Sequence, residues 1–213
     1  MQEVLEQGLV IRKECETLSD TLSADTSLPD TDHPIGALGM CFNHATLFVE
    51  SAHNYYLQWS EAKTIPMDEL DQTREQNEQR IIELGKFLYV SAMSSMEFSM
   101  KRANIRLGNP LGLPTKTLDK AYMRNMIKSS VDSNLIEQSD GALFEGAVNV
   151  RNSVVHNNGV AQRTVTYKFE NDLILDLQQD QMTQGSLLTF PKLTLWVIQK
   201  YAQWCQSLLA DRQ

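Results

Sequence analysis

No stretch of this 213-residue chain approaches the roughly 18 consecutive apolar residues of a membrane span, so an integral membrane protein is not expected. The first ten residues, MQEVLEQGLV, lack the basic-then-apolar order of a secretory signal. Cysteine is scarce: Cys15, Cys41 and Cys205 are odd in number and far apart, which leaves no disulfide framework. These absences predict a reduced, cytoplasmic protein with no membrane partner. A phosphate-cradling glycine loop, a G-x-S-x-G elbow and an H-E-x-x-H helix are all missing, which counts against the chemistries they serve. Cys41, His44, Glu50 and His53 share one expected helix, but their helical angles scatter. With no second Cys or His pair to complete a tetrahedral site, no metal is expected. Internal repeats are lacking too.

The hydrophobic content of 42% and charged content of 22% are ordinary for a globular protein. The length suits one domain with a sizeable core, or a core with a small elaboration. A net charge of −8 argues at first against nucleic acid. Its distribution reverses that. Residues 1–97 carry 6 basic and 17 acidic side chains, whereas residues 98–131 carry 7 basic side chains against the single acid Asp119. A local basic segment on an acidic protein can hold phosphates while the remainder repels nonspecific polyanions.

Apolar periodicity predicts helices over 1–24, 35–62, from Pro66 to about 107, over 116–136, from about 140 to 157, and over 191–210. GNPLGLP breaks the chain after the third helix, and SDG offers N-cap residues to the fifth. On the fourth helix Leu118, Tyr122, Met126 and Leu135 are the expected core positions. TVTYKF, LILDL and SLLTF are short and alternating or β-branched, so a small β element is expected at 164–190. The fold class is thus an all-α antiparallel helical bundle with a β-hairpin insertion near 164–190. Residues 1–33 form an N-terminal helix and loop, and residues 34–213 the bundle. Met93, Met96 and Met100 are expected as core fillers.

VRNSVVHNNG, residues 150–159, concentrates the chemistry. On a helix at about 100° per residue, Leu143, Ala147, Val150 and Val154 form a core stripe. Glu145, Asn149, Asn152 and His156 form an opposite polar ridge, and Arg151 interrupts an apolar flank. HNNG closes the helix, since Asn and Gly readily take the left-handed C-cap conformation. His156 is the side chain type best suited to general acid–base work near neutrality. Arg151 stays charged and can hold a phosphate in bidentate fashion. Five residues separate the two by about 140°, so they do not share a face. Either the Arg side chain wraps around the helix end, or the working pair meets across a subunit boundary. The commoner fate of a helix-end His is capping against the dipole. An Arg at this position is commonly held by a carboxylate, here Glu97 or Glu145. Lys116, Lys120, Arg124 and Lys128 repeat every four residues, at a cost in like-charge repulsion. They form either a solvated face or an RNA-binding stripe, and the acidic N-terminal region could cover them.

Arg151-Asn152-(x3)-His156 resembles the R-x4-6-H motif of the HEPN superfamily, small helical-bundle domains in prokaryotic toxins and defence proteins. EFSMKR, Glu97 to Arg102, is similar to the E-x3-K-R pattern on an earlier helix of some members. The resemblance in layout covers roughly residues 40–210. It implies a metal-independent, cofactor-free endoribonuclease acting on RNA as a homodimer, in a toxin–antitoxin or anti-phage setting where an antitoxin protein is a further partner. His156 would be the acid/base group, Arg151 the phosphate clamp and Asn152 an orienting residue, with Glu97, Lys101 and Arg102 in support. Some members have lost catalysis, so a silent dimer binding RNA, a nucleotide or a partner protein is the alternative.

Overall fold

The computed structural model describes residues 1–26, 33–61, 67–114, 121–156, 159–170, 172–183 and 185–210. Its elements in chain order are α1 (Gln2–Thr26), α2 (His33–Glu61), α3 (Met67–Arg106), α4 (Met123–Asp132), α5 (Gln138–His156), β1 (Val165–Lys168), β2 (Ile174–Leu177) and α6 (Thr189–Ala210). The described residues are thus mostly helical, with one two-stranded antiparallel sheet. Among them no helix is long and apolar enough to cross a membrane.

The four long helices build the main core. Gly8 lies against Phe48 and Val49, and Arg12 stacks over Phe42, so α1 and α2 run antiparallel. His44 meets Phe87 and Arg80 meets Tyr55, which makes α2 and α3 antiparallel as well. The last helix departs from the up-and-down expectation. Gly85 packs against Phe190 and Pro191, while Ser99, farther along α3, hydrogen-bonds Tyr201, farther along α6. Contacts that advance together along both helices mean that α6 runs parallel to α3. A parallel neighbour needs a crossover, and α4, α5 and the hairpin form it. Met93, Met96 and Met100 are buried in the core, as are Trp204, Tyr201 and Phe190.

GNPLGLP stops α3 by hydrogen-bond chemistry as well as by composition. Gly108 adopts φ 76°, and the amides of Gly108 and Asn109 return to the carbonyls of Ile105 and Asn104, a Schellman closure. The buried Asn104 carboxamide then takes the Leu111 amide at 3.0 Å and donates to Asn109 Oδ1 at 2.9 Å. Four expectations are corrected. The fourth helix is shorter than 116–136, opening at Met123 and closing on Asn134 at φ 58°; residues 116–120, and Leu118 with them, lie outside the described residues. Because the helical period starts at Met123, Met126 and Ile127 turn inward and Tyr122 is left 74% exposed. The fifth helix begins at Gln138, which puts Asp140 in its first turn rather than at a cap. SLLTF is not a strand: Thr189 and Phe190 open α6, and the ladder beyond the hairpin ends in a bridge between Val160 and Met182.

The hairpin pairs Val165 with Leu177 and Tyr167 with Leu175. Leu175 and Leu177 are buried, and Thr166 and Asp176 point out, where they hydrogen-bond at 2.7 Å. Phe169, at the end of β1, sits edge-on to Trp196 at 4.9 Å, and Phe144 of α5 lies 5.0 Å from the same indole. The hairpin is therefore fastened to both α5 and α6 by aromatic packing.

Candidate functional site

On α5 the side chains Phe144, Ala147, Val148 and Val150 are buried, so the core face is shifted from the expected stripe, and Leu143 and Val154 are only half-buried. The shift has a cause: α3, α4, α6 and β1 all contact α5, with Tyr89 meeting it at Ala147, Trp196 at Phe144 and Tyr167 at Gly146. The buried Tyr89 hydroxyl donates to the Ala147 carbonyl, pinning α5 to α3. Burial pushes the Tyr89 phenol well above its ordinary pKa, with the nearby Arg151 charge pulling the other way.

Beside that pin the two motifs meet. Arg151 Nη2 lies 3.6 Å from Glu97 Oε2, and Lys101 Nζ lies 3.3 Å from Glu97 Oε1. One carboxylate on α3 thus holds a cation from each helix in a half-buried seam. Arg151 Nη1 also donates to Asn152 Oδ1 at 3.2 Å. Arg102 stacks over Phe98 with 5.6 Å to the ring centroid. Glu97, Lys101 and Arg102 line a surface groove of about 410 Å³ together with Phe98 and Ile105, both exposed apolar side chains.

His156 occupies the last turn of α5 and is exposed. Beyond it Gly159 takes φ 84° and donates its amide to the Ser153 carbonyl at 2.8 Å. No contact among the described residues joins Arg151 to His156. With its guanidinium engaged by Glu97 and Asn152, Arg151 does not wrap to the helix end in a single chain.

The basic stripe divides. Lys116 and Lys120 lie outside the described residues. Lys128 is exposed, and Arg124 turns onto α5, donating to Asn149 Oδ1 at 2.7 Å. Among the described elements α4 packs on α3 and α5, and Ser130 of α4 accepts from the Trp204 indole of α6 at 3.0 Å.

Of the polar ridge of α5, Asn149 and Asn152 are half-buried, with Asn149 bonded to the hairpin, and Glu145 and His156 are exposed. Gly146 makes room: a Cβ there would sit 2.7 Å from the Tyr167 ring. Asn149 Nδ2 donates to the Tyr167 hydroxyl at 2.9 Å, and Arg163 Nη2 donates to the same oxygen at 3.2 Å and to Glu145 Oε1 at 3.1 Å. Between α5 and the hairpin opens a cavity of about 330 Å³, lined by Arg124, Asn149, Asn152, Gln162 and Arg163, with Leu177 also on its wall. Arg163, Gln162 and Tyr167 were missed in the sequence. The available signal was Gly146, set between the core stripe and the polar ridge of the helix, a gap that suits an aromatic ring from a following strand.

Among the described residues no three His, Cys, Asp or Glu side chains gather as a metal site. Burial pushes the Cys15 and Cys205 thiols up to about 12, and Cys41 well up too, so these are inert core groups and not nucleophiles. No family model, curated protein or solved structure matches this chain.

Proposed function

We propose that the protein is a metal-independent endoribonuclease of the HEPN type, working as a homodimer whose copies share one cleft. The reading rests on a single observation: two motifs about 50 residues apart in sequence converge through Glu97, which pairs with Lys101 of its own helix and with Arg151 of α5. In this reaction one imidazole removes the proton from an RNA 2′-hydroxyl, the freed oxygen attacks the adjacent phosphorus, and a second imidazole protonates the departing 5′-oxygen. Each chain offers one His156 at this helix end, so the second imidazole is the partner's His156. Arg151, aimed by Glu97 and Asn152, takes the charge that develops on the phosphoryl oxygens. Exposed Phe98 and Ile105 on α3 and Val155 on α5 supply apolar surface for self-association beside the motifs. A toxin or defence setting, with an antitoxin as partner, follows from the motif resemblance.

The test is cleavage of single-stranded RNA by the purified chain in EDTA. Products with 2′,3′-cyclic phosphate ends are expected, and His156→Ala should lower the rate by about 10²–10⁴-fold without changing the circular dichroism spectrum. Cleavage that His156→Ala leaves undiminished overturns the assignment. The separation of Arg151 from His156 within one chain favours a second reading, a catalytically silent dimer that binds RNA, a nucleotide or a partner protein. RNA binding without cleavage, equal in wild type and His156→Ala, selects it.

A further inference from the structure

We infer that Tyr89 of α3 is the positioning residue for Arg151, setting through one hydrogen bond to the α5 backbone where that guanidinium stands. The inference rests on the nuclease reading for its catalytic consequence, and on geometry alone for the placement of Arg151. Tyr89 is fully buried, with its ring 6.0 Å from that of Phe190 between centroids. Phenylalanine would fill the same space without a hydroxyl to desolvate. What the hydroxyl adds is direction, because it donates to the Ala147 carbonyl across the helix pair. In an α-helix that carbonyl also accepts from the amide four residues on, here the amide of Arg151. One oxygen therefore ties the core phenol to the backbone that carries the guanidinium. The Arg151 charge acts on the Tyr89 phenol, so the two side chains lie near each other.

The rest of the helix contact leaves this bond to decide the matter. α5 is anchored at its start by Phe144 against Trp196 and by Asp140 to Lys200 of α6. Beyond Phe144 it buries only small side chains, Gly146, Ala147, Val148, Val150 and Ser153, which resist rotation less than a long side chain does. Asn149 is tied to α4 and to the hairpin, which belong to the same crossover segment as α5. Among the described residues the polar ties of α5 to α3 are two, Tyr89 to Ala147 and Glu97 to Arg151. A rotation of about 20° carries a side-chain tip, about 5–6 Å from the helix axis, through about 2 Å. Arg151 Nη2 lies 3.6 Å from Glu97 Oε2, so such a turn would undo the pairing. Misplacing a group at a reacting centre by about 1 Å costs up to about 10²-fold in rate.

Steady-state RNA cleavage by the full chain tests this, comparing Tyr89→Phe with a matched control. Tyr201→Phe removes the hydroxyl of another fully buried tyrosine, which donates to the Pro34 carbonyl of α2 at 2.7 Å. Tyr89→Phe should lower kcat about 10–100-fold at unchanged KM, because Arg151 serves charge that develops only in the transition state. Tyr201→Phe should leave kcat unchanged. In an Arg151→Gln background Tyr89→Phe should lower kcat no further, since it acts through the guanidinium. Equal losses in the two tyrosine variants, or losses from Tyr89→Phe and Arg151→Gln that multiply, overturn the proposal. Should the wild type cleave no RNA, the nuclease reading fails by itself, and the Arg151 Nε–H signal in NMR spectra decides the placement. That signal is identified by its disappearance in Arg151→Lys. Tyr89→Phe should shift or broaden it, and Tyr201→Phe should leave it in place. A signal that Tyr89→Phe does not move overturns the assignment.

Discussion

His44 is held partly buried against Phe87, with Nδ1 shielded and no hydrogen-bond partner for it among the described residues. Burial lowers its pKa from the ordinary 6.5, because the imidazolium is less well solvated there than in the unfolded chain. The unfolded state therefore binds the proton first as pH falls. This group's contribution to stability is complete above the unfolded value near 6.5 and declines as pH drops through it, until the folded imidazole also charges. His44→Leu should flatten that decline. Urea midpoints of wild type and variant at about pH 7.5 and about pH 5.5 measure it, and equal losses in both proteins would contradict it. Glu97 illustrates a different economy at the same scale: one carboxylate satisfies Lys101 and Arg151 together, so its position rather than its charge alone is what matters.

At the scale of elements, the α5–hairpin seam depends on a residue with no side chain. At Gly146 an added methyl would meet the Tyr167 ring at 2.7–2.9 Å, and the ring is fixed by strand β1 and by two hydrogen bonds to its hydroxyl. Gly146→Ala gains about 1 kcal/mol of helix propensity, but the overpacking costs about 1–3 kcal/mol. A net loss of stability is expected. Gly39, exposed in mid-α2, has no such neighbour: a methyl added there would meet nothing within 4 Å. Gly39→Ala should stabilise by up to about 1 kcal/mol. Thermal melts of the two variants check both signs, and stabilisation of both would show that the Tyr167 contact yields freely.

For the whole molecule, cohesion between the long helices and the crossover segment passes through few polar ties. Lys200 of α6 pairs with Asp140 in the first turn of α5 and with Glu170 at the end of the hairpin, each at 3.0 Å. Burial alone would lower its pKa, yet the hydrogen bonds from Lys200 to Glu170 and Asp140 outweigh that and raise it. Lys200→Met keeps the aliphatic stem and strands a half-buried Asp140 carboxylate. A loss of about 1–3 kcal/mol is expected in denaturant unfolding. If Asp140→Asn in the Lys200→Met background recovers nothing, the penalty is not the unpaired charge. The fold class was legible in the sequence because amphipathic periodicity is a local property. Helices were readable from spacing, the hairpin from two alternating runs, and the chain break from GNPLGLP. Element boundaries near residues 121–122 and 186–190 were not: Tyr122 reads as a helical core position and SLLTF as a strand, whereas α4 opens only at Met123 and Thr189 and Phe190 open α6.

Local chemistry alone thus determined that this chain is helical, carries one small hairpin and places Arg151, Asn152 and His156 on a late helix turn. Tertiary structure decided which face of that helix each one meets. Arg151 goes to Glu97 on α3, the Asn149 ridge goes to Tyr167 on the hairpin, and α6 returns parallel to α3 instead of antiparallel. The physical reason is that periodicity reports how a segment divides between apolar and polar sides. It does not report which other segment will cover the polar one, because that depends on partners distant in sequence and on the crossover that brings them together.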